Sequence, residues 1–264
     1  MKKPLVSIII PCKNSSLFID SCLNSAKNQA YLHIEIIVVD NNSTDNTKEI
    51  ADKYTKLIFN KGPERSAQKN YGAEKSNGKY LLFIDSDMVL TKDVVDECVR
   101  KINESTKAIV IPEVSIGEGF WAKCKALEKI CYIGDEDIEA ARFFDKDVFW
   151  KSGGWDEEMI ASEDWDLHDR VKKITSISRI NSLIKHNEGK ISLFGTIRKK
   201  YYYGQKLKPY FEKNRVNSKR RYKLIRPAYI KNWRLFLKSP FYTLGLIIMK
   251  VCEFGAGGLG FIRK

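Results

Sequence analysis

The chain has 264 residues, 43% of them hydrophobic, enough to bury a full core as one large domain or one domain with an appendage. Its net charge of +13 is unevenly spread: 18 Lys and Arg face 2 acids between Ile197 and Lys264, whereas the first 196 residues carry 28 basic and 31 acidic groups. A near-neutral body with a basic tail points to a polyanionic surface, either nucleic acid or anionic lipid. No charged-then-apolar leader opens the sequence, so secretion is not expected. The six cysteines form no Cys-x-x-Cys pair, which favours reduced, buried thiols over a disulfide frame.

Leu5 to Ile10 is a β-branched run ended by Pro11, a first strand. Ser15 or Ser16 is expected to cap a helix that turns Ile19, Leu23 and Ala26 inward. Ile34 to Val39 is a second buried strand. It runs into Asp40-Asn41-Asn42-Ser43-Thr44-Asp45, a polar loop suited to capping a helix from Asn46 to Tyr54. A short strand at Leu57–Phe59, a helix over Ala67–Ser76 and the strand Tyr80-Leu81-Leu82-Phe83-Ile84 follow. Thr91 is expected to cap a helix with Val94, Val95, Cys98 and Val99 inward, and Ala108–Pro112 is a fifth strand. Strands alternating with helices at this spacing predict a parallel, doubly wound sheet.

The apolar strand at Tyr80 ends in Asp85-Ser86-Asp87. Two acids at i and i+2 on the carboxyl rim of an open α/β sheet repel unless a cation joins them, and oxygen donors there suit Mg2+ or Mn2+ with a substrate phosphate. Asn14 and Asp40 fall on the same rim. Neither a Gly-x-Gly-x-x-Gly nor a phosphate-binding Gly-x-x-x-x-Gly-Lys-Ser/Thr loop occurs, which argues against a dinucleotide-dependent oxidoreductase and a P-loop enzyme.

Three stretches together resemble the family 2 glycosyltransferases of GT-A fold: Val6 to Asn14, Ile37 to Asp45, and Lys69-Asn70-Tyr71-Gly72 leading into Asp85-Ser86-Asp87. The resemblance covers roughly Val6 to Gly189. It implies a nucleotide-diphosphate-sugar donor carrying UDP or GDP, a divalent metal (Mn2+ or Mg2+) at the Asp-x-Asp, and transfer with inversion. Asp40 resembles the family's base-binding acid, with Pro11, Asn14 and Asn42 lining that pocket and Arg65 and Lys69 near the nucleotide. Asp85 is expected against sugar or ribose, and Asp87 is the better metal ligand, with His186 as a third. Gly153-Gly154-Trp155-Asp156 followed by Glu163-Asp164 resembles the family's acceptor segment. That makes Asp164 the general base beside Glu163, and Trp155 and Trp165 walls for a sugar ring. His33 and His168 read as surface residues.

The expected organisation is a GT-A catalytic domain over residues 1–190, with a nucleotide-sugar half to about 112 and an acceptor half from about 113. A basic amphipathic helical tail over 191–264 would follow. Lys250 and Glu253 interrupt the last apolar stretch, so no clean apolar span of 18 residues is expected; basic and aromatic residues suit helices lying in a membrane interface. By analogy with relatives the acceptor would be a hydroxyl of a lipid-linked saccharide or other glycoconjugate at the cytoplasmic face of the membrane. Three rivals stand beside this reading. A polyprenyl-phosphate sugar synthase needs no base for its ionised acceptor, a nucleotidyltransferase releases pyrophosphate, and a basic RNA-binding protein leaves the rim acids without a purpose.

Overall fold

A computed structural model describes residues 3–263, which divide into two compact units. The first comprises residues up to Pro112, Ala140–Glu157 and Glu163–Lys185; the second comprises Glu113–Glu139, Glu158–Ser162 and His186 onward. These limits differ from the expected 1–190 and 191–264, because residues 113–139 and 158–162 group with the tail while residues 140–157 and 163–185 group with the sheet.

In chain order the first unit starts with β1 (Val6–Cys12), α1 (Ile19–Lys27), β2 (Ile34–Asp40), α2 (Thr47–Ala51), β3 (Ile58–Asn60) and α3 (Arg65–Lys75). It continues with β4 (Tyr80–Phe83), β5 (Met88–Leu90), α4 (Val94–Lys101) and β6 (Thr106–Val110). The second unit then takes β7 (Glu113–Glu118) and α5 (Gly119–Cys131). The chain resumes with β8 (Ala141–Asp145), α6 (Lys146–Lys151), α7 (Glu163–Lys172) and β9 (Ser176–Arg179), and β10 (Ile184–Lys190) carries it across to pair with β7.

The main sheet has seven strands in the order β3-β2-β1-β4-β8-β6-β9. β1 pairs in parallel with β2 from Val6 opposite Ile34 to Cys12 opposite Asp40, and with β4 on its other side. β8 runs antiparallel to both β4 and β6, and the other four pairings are parallel, so the sheet is mainly parallel, as expected, with one strand reversed. The unbroken apolar runs reflect burial on both faces. Ile8, Ile10, Val38 and Leu82 pack on the α1 side, whereas Ile9, Val39, Leu81 and Phe83 pack on the α3 side.

Two expected caps are replaced by other contacts. The Ser15 carbonyl, not a side chain, receives the Phe18 and Ile19 amides at the start of α1. Thr91 exchanges hydrogen bonds with the backbone of Leu183, its hydroxyl donating at 3.1 Å and accepting at 3.0 Å. All six cysteines are free, and all but Cys252 are buried.

The second unit is built on α5, α8 (Leu193–Gln205), α9 (Lys208–Lys213), α10 (Arg215–Arg221), α11 (Pro227–Lys231), α12 (Trp233–Lys238) and α13 (Pro240–Ile262). Contrary to expectation, α13 is a continuous 23-residue helix long and apolar enough by composition to cross a membrane. Its two charges do not interrupt it because they face inward: Lys250 pairs with Glu253 on its own helix and with Glu128 of α5 at 2.8 Å, and Lys125 meets Glu128 at 2.8 Å.

Helix α3 can lie on the sheet only because Gly72 offers no side chain. A Cβ there would sit 2.5 Å from Ile9 Cγ2 and 3.1 Å from Val39 Cγ2. Gly72→Ala should therefore lower stability by about 1–3 kcal/mol through overpacking, read as a lower urea midpoint at unchanged m.

Candidate active site

The carboxyl rim of the sheet gathers the chemistry, and β4 leads straight into it. Asp85-Ser86-Asp87-Met88 is one tight turn closed by the Met88 amide on the Asp85 carbonyl at 3.0 Å. Facing Asp85 are two cations from separate elements, Lys69 on α3 and Arg142 on β8. Lys69 Nζ lies 3.8 Å from Asp85 Oδ1 and 3.6 Å from Asp164 Oδ1. Arg142 reaches the second oxygen of each acid, Nη1 to Asp85 Oδ2 and Nη2 to Asp164 Oδ2, both at 3.9 Å. Asp85 and Asp164, almost eighty residues apart in sequence, are thus joined twice. The Lys69 ammonium also sits 4.1 Å above the Trp155 ring and is 1% exposed.

Helix α7 presents its acids unequally. Glu163 is buried and pairs with Arg65 Nη2 at 3.2 Å, while the Asp164 side chain keeps 33% of its surface open. Burial first, and then the Asp164 charge, push the Glu163 carboxyl above its ordinary value, against the pull of Lys69 and Arg65. Of the two, Asp164 is the acid open to an incoming group. His168, one turn on, is not the surface residue expected. It is 5% exposed, and its Nδ1 accepts the Ala141 amide at 3.1 Å, because it lies on the inward face with Leu167 and Val171. That bond ties α7 to β8 beside Arg142.

Several sequence assignments are corrected. The Asp40 carboxylate is fully buried, so it does not face a nucleotide base. Its oxygens accept from the Ser43 amide and hydroxyl and from Cys12 Sγ, and pair with Lys48 at 3.3 Å, which occupies a carboxylate's acceptor sites. Trp155 is 2% exposed and packs edge-on against Phe83, so it is a core residue and not a wall for a sugar. The left-handed backbone of Gly153 and Gly154, at φ 89° and 63°, turns it inward. Trp165 is half-buried at the start of α7. Arg65 is engaged by Glu163. His186, in the second unit, has its Nδ1 2.8 Å from Glu113 Oε1, and among the described residues no three His, Cys, Asp or Glu are grouped to hold a metal ion.

Other rim residues keep their places. Pro11 is in β1, and Asn14 and Asn42 both adopt left-handed backbone, at φ 48° and 50°, on exposed turns. Asn14 Oδ1 accepts the Thr44 amide at 2.8 Å, joining the loops after β1 and β2. The sequence reading gave no role to Arg142 or to Asn70 and placed His168 on the surface. A lone arginine within Ala141-Arg142-Phe143-Phe144 is the signal that was available for the first, since a cation in a buried strand needs partners.

With the geometry in place, comparison with known proteins decides the relationship. The family model described as "Glycosyl transferase family 2" matches residues 7–184. The chain belongs to that family. A Haemophilus influenzae protein described as an uncharacterized glycosyltransferase is 39% identical over 106 residues, 37% of this chain and 42% of that protein. The Campylobacter jejuni GalNAc(5)-diNAcBac-PP-undecaprenol beta-1,3-glucosyltransferase is 28% identical over 153 residues, 53% of this chain and 49% of that protein. The chain thus spans less than half the length of these relatives. A Pyrobaculum calidifontis mannosyltransferase solved with GDP-Man and Mn2+ shares the fold at a TM-score of 0.68 and 14% identity, covering 99% of this chain and 88% of that one. S. aureus TarS with UDP-GlcNAc gives 0.55 at 15% identity, covering 98% and 90%. At these identities the likeness is one of fold.

Asn70 is the link between α3 and the Gly-Gly-Trp-Asp turn. Its Nδ2 donates to the Trp155 carbonyl and its Oδ1 accepts the Trp155 amide, each at 2.9 Å. Asn70→Ala strands both backbone groups and should cost about 2 kcal/mol, with a change in tryptophan emission, read by chemical denaturation.

Glu163 holds its proton more tightly folded than unfolded, so its stabilising contribution is complete at low pH and is lost as pH rises above its ordinary 4.5. Relative to Glu163→Gln, the wild type should therefore lose stability as pH is raised through that point, measured by urea midpoints at a series of pH values.

Proposed function

We propose that the chain moves a glycosyl group, with inversion, from a nucleotide-diphosphate-sugar carrying UDP or GDP to an acceptor hydroxyl. The acceptor we assign is a lipid-linked saccharide or other glycoconjugate at the cytoplasmic face of a membrane, with the C-terminal helices against the bilayer. The observation that carries this reading is the double bridge of Lys69 and Arg142 between Asp85 and Asp164. It unites a rim acid of the Asp-x-Asp turn with an accessible carboxylate on α7.

Each residue then has a task. Asp164 accepts the acceptor's proton as its oxygen attacks the anomeric carbon from the face opposite the leaving group. The new carbon–oxygen bond forms as the bond to the diphosphate breaks, and that electron pair leaves on the nucleoside diphosphate. Lys69 and Arg142 hold fixed positive charge beside the departing phosphates and keep Asp85 and Asp164 from repelling one another. Pro11, Asn14 and Asn42 lie on the rim suited to the nucleoside.

Asp85 and Asp87 fit a divalent ion, because two hard carboxylates plus substrate phosphates suffice for Mg2+ or Mn2+. Asp85 already faces two cations, which leaves Asp87 as the principal holder. When bound, such an ion would neutralise charge growing on the diphosphate. An accessible base is needed for a hydroxyl acceptor and superfluous for a polyprenyl phosphate, which favours the former.

The test is a panel of UDP- and GDP-sugars with Mn2+ or Mg2+, following slow donor hydrolysis, then transfer to acceptor. Asp164→Asn should lower transfer to a hydroxyl by about 10²–10⁴-fold while donor binding persists. Near-normal transfer by that variant would favour the phosphate acceptor, and indifference to every sugar nucleotide would overturn the proposal.

A further inference from the structure

Helix α13 carries two unlike faces. Gly245, Leu246, Met249, Lys250, Glu253, Ala256 and Gly260 are buried within the second unit. The contact is backbone-close: a Cβ on Gly260 would lie 2.2 Å from the Tyr201 carbonyl oxygen of α8, and one on Gly204 would lie 2.2 Å from that of Gly257. The opposite face presents Phe241, Leu244, Ile248, Val251, Leu259 and Ile262, each 43–81% exposed. These residues are spaced by three or four except across exposed Gly255, between Val251 and Leu259, and form one apolar stripe about 32 Å long at about 1.5 Å per residue.

Charge names what covers it. Between residues 213 and 263 the sole acid is Glu253, which is buried, so every exposed charge there is a cation. Lys231, Arg234 and Lys238 precede the stripe and Arg263 ends it, all exposed. Trp233 and Leu237, 53% and 69% exposed, extend the apolar surface back along α12. An apolar stripe with cations at both ends and an exposed tryptophan matches the boundary between headgroups and acyl chains of an anionic bilayer.

We infer that α13 lies along the surface of an anionic membrane, half-sunk by its Phe241–Ile262 stripe, and does not cross the bilayer. Length alone would permit crossing. To cross, the helix would have to leave α5 and α8, breaking the glycine contacts. It would also carry Lys250 and Glu253 into hydrocarbon without Glu128 and Lys125. Keeping those charges inside the second unit leaves only the outer stripe for lipid. This deepens the membrane-surface part of the proposed function and rests on that part alone.

The experiment uses the full chain and phosphatidylcholine vesicles with or without phosphatidylglycerol. Flotation should be strong with phosphatidylglycerol, fall with added salt, and drop about tenfold or more in the Ile248→Asp/Val251→Asp double variant. Leu32→Asp, at a still more exposed apolar site in the first unit, should float like wild type. For orientation, Ser239→Cys and Arg263→Cys, each made in a Cys252→Ser background, should both react with an impermeant maleimide added outside sealed vesicles. Protection of one end overturns the in-plane placement. Equal flotation of the double variant, or self-association through this face without vesicle binding, overturns the lipid assignment. Donor hydrolysis by the double variant, followed in parallel, reports separately on the catalytic reading.

Discussion

Two carboxylates brought together at a sheet edge repel unless cations lie between them, and Asp85 and Asp164 meet that requirement twice. At 3.6–3.9 Å each of the four cation–carboxylate pairs is worth roughly 4 kcal/mol before desolvation in a medium of effective dielectric about 20, and these four attractions stand against two repulsions, one between the acids and one between Lys69 and Arg142. The arrangement draws on α3, β4, β8 and α7, so the antiparallel insertion of β8 between β4 and β6 is what delivers Arg142. A sheet without that strand would leave Lys69 alone to hold both acids.

The sequence reading succeeds where burial dictates composition. β1, β2 and β4 are legible because strands covered on both faces must be apolar at every position, and α3 is legible because it begins after a polar loop. The Asp85-Ser86-Asp87 turn and the Glu163-Asp164 step stand out as acid pairs because their members are adjacent or nearly so in sequence; their roles belong to the proposed function. Arg142 is harder: its meaning depends on which strands β8 separates, and that is a fact of three-dimensional order. The antiparallel sense of β8 is hidden for the same reason, since direction leaves no mark on an apolar run.

The misread residues share a cause. Asp40, Trp155 and His168 each have a side chain able to serve a ligand, and each is consumed by the fold. Asp40 spends its oxygens closing the turn after β2. Trp155 fills space beneath Lys69 and against Phe83, and His168 accepts a strand amide. In α13, Lys250 and Glu253 look like interruptions when the helix is read alone, yet α5 supplies Glu128 and Lys125 to receive them. Asp40 is taken up largely by its own turn, whereas in the other three cases the deciding neighbour is distant in sequence.

The Asn70 side chain grips the Trp155 peptide from both sides, next to Lys69 on the same helix. The segment that leads toward α7 is therefore riveted to the helix that carries a cation of the centre. Such a joint leaves little freedom for the two to drift apart during turnover. Under the proposed function, this joint would hold Lys69 in place relative to that segment before substrate arrives and so spare the reaction part of its reorganisation.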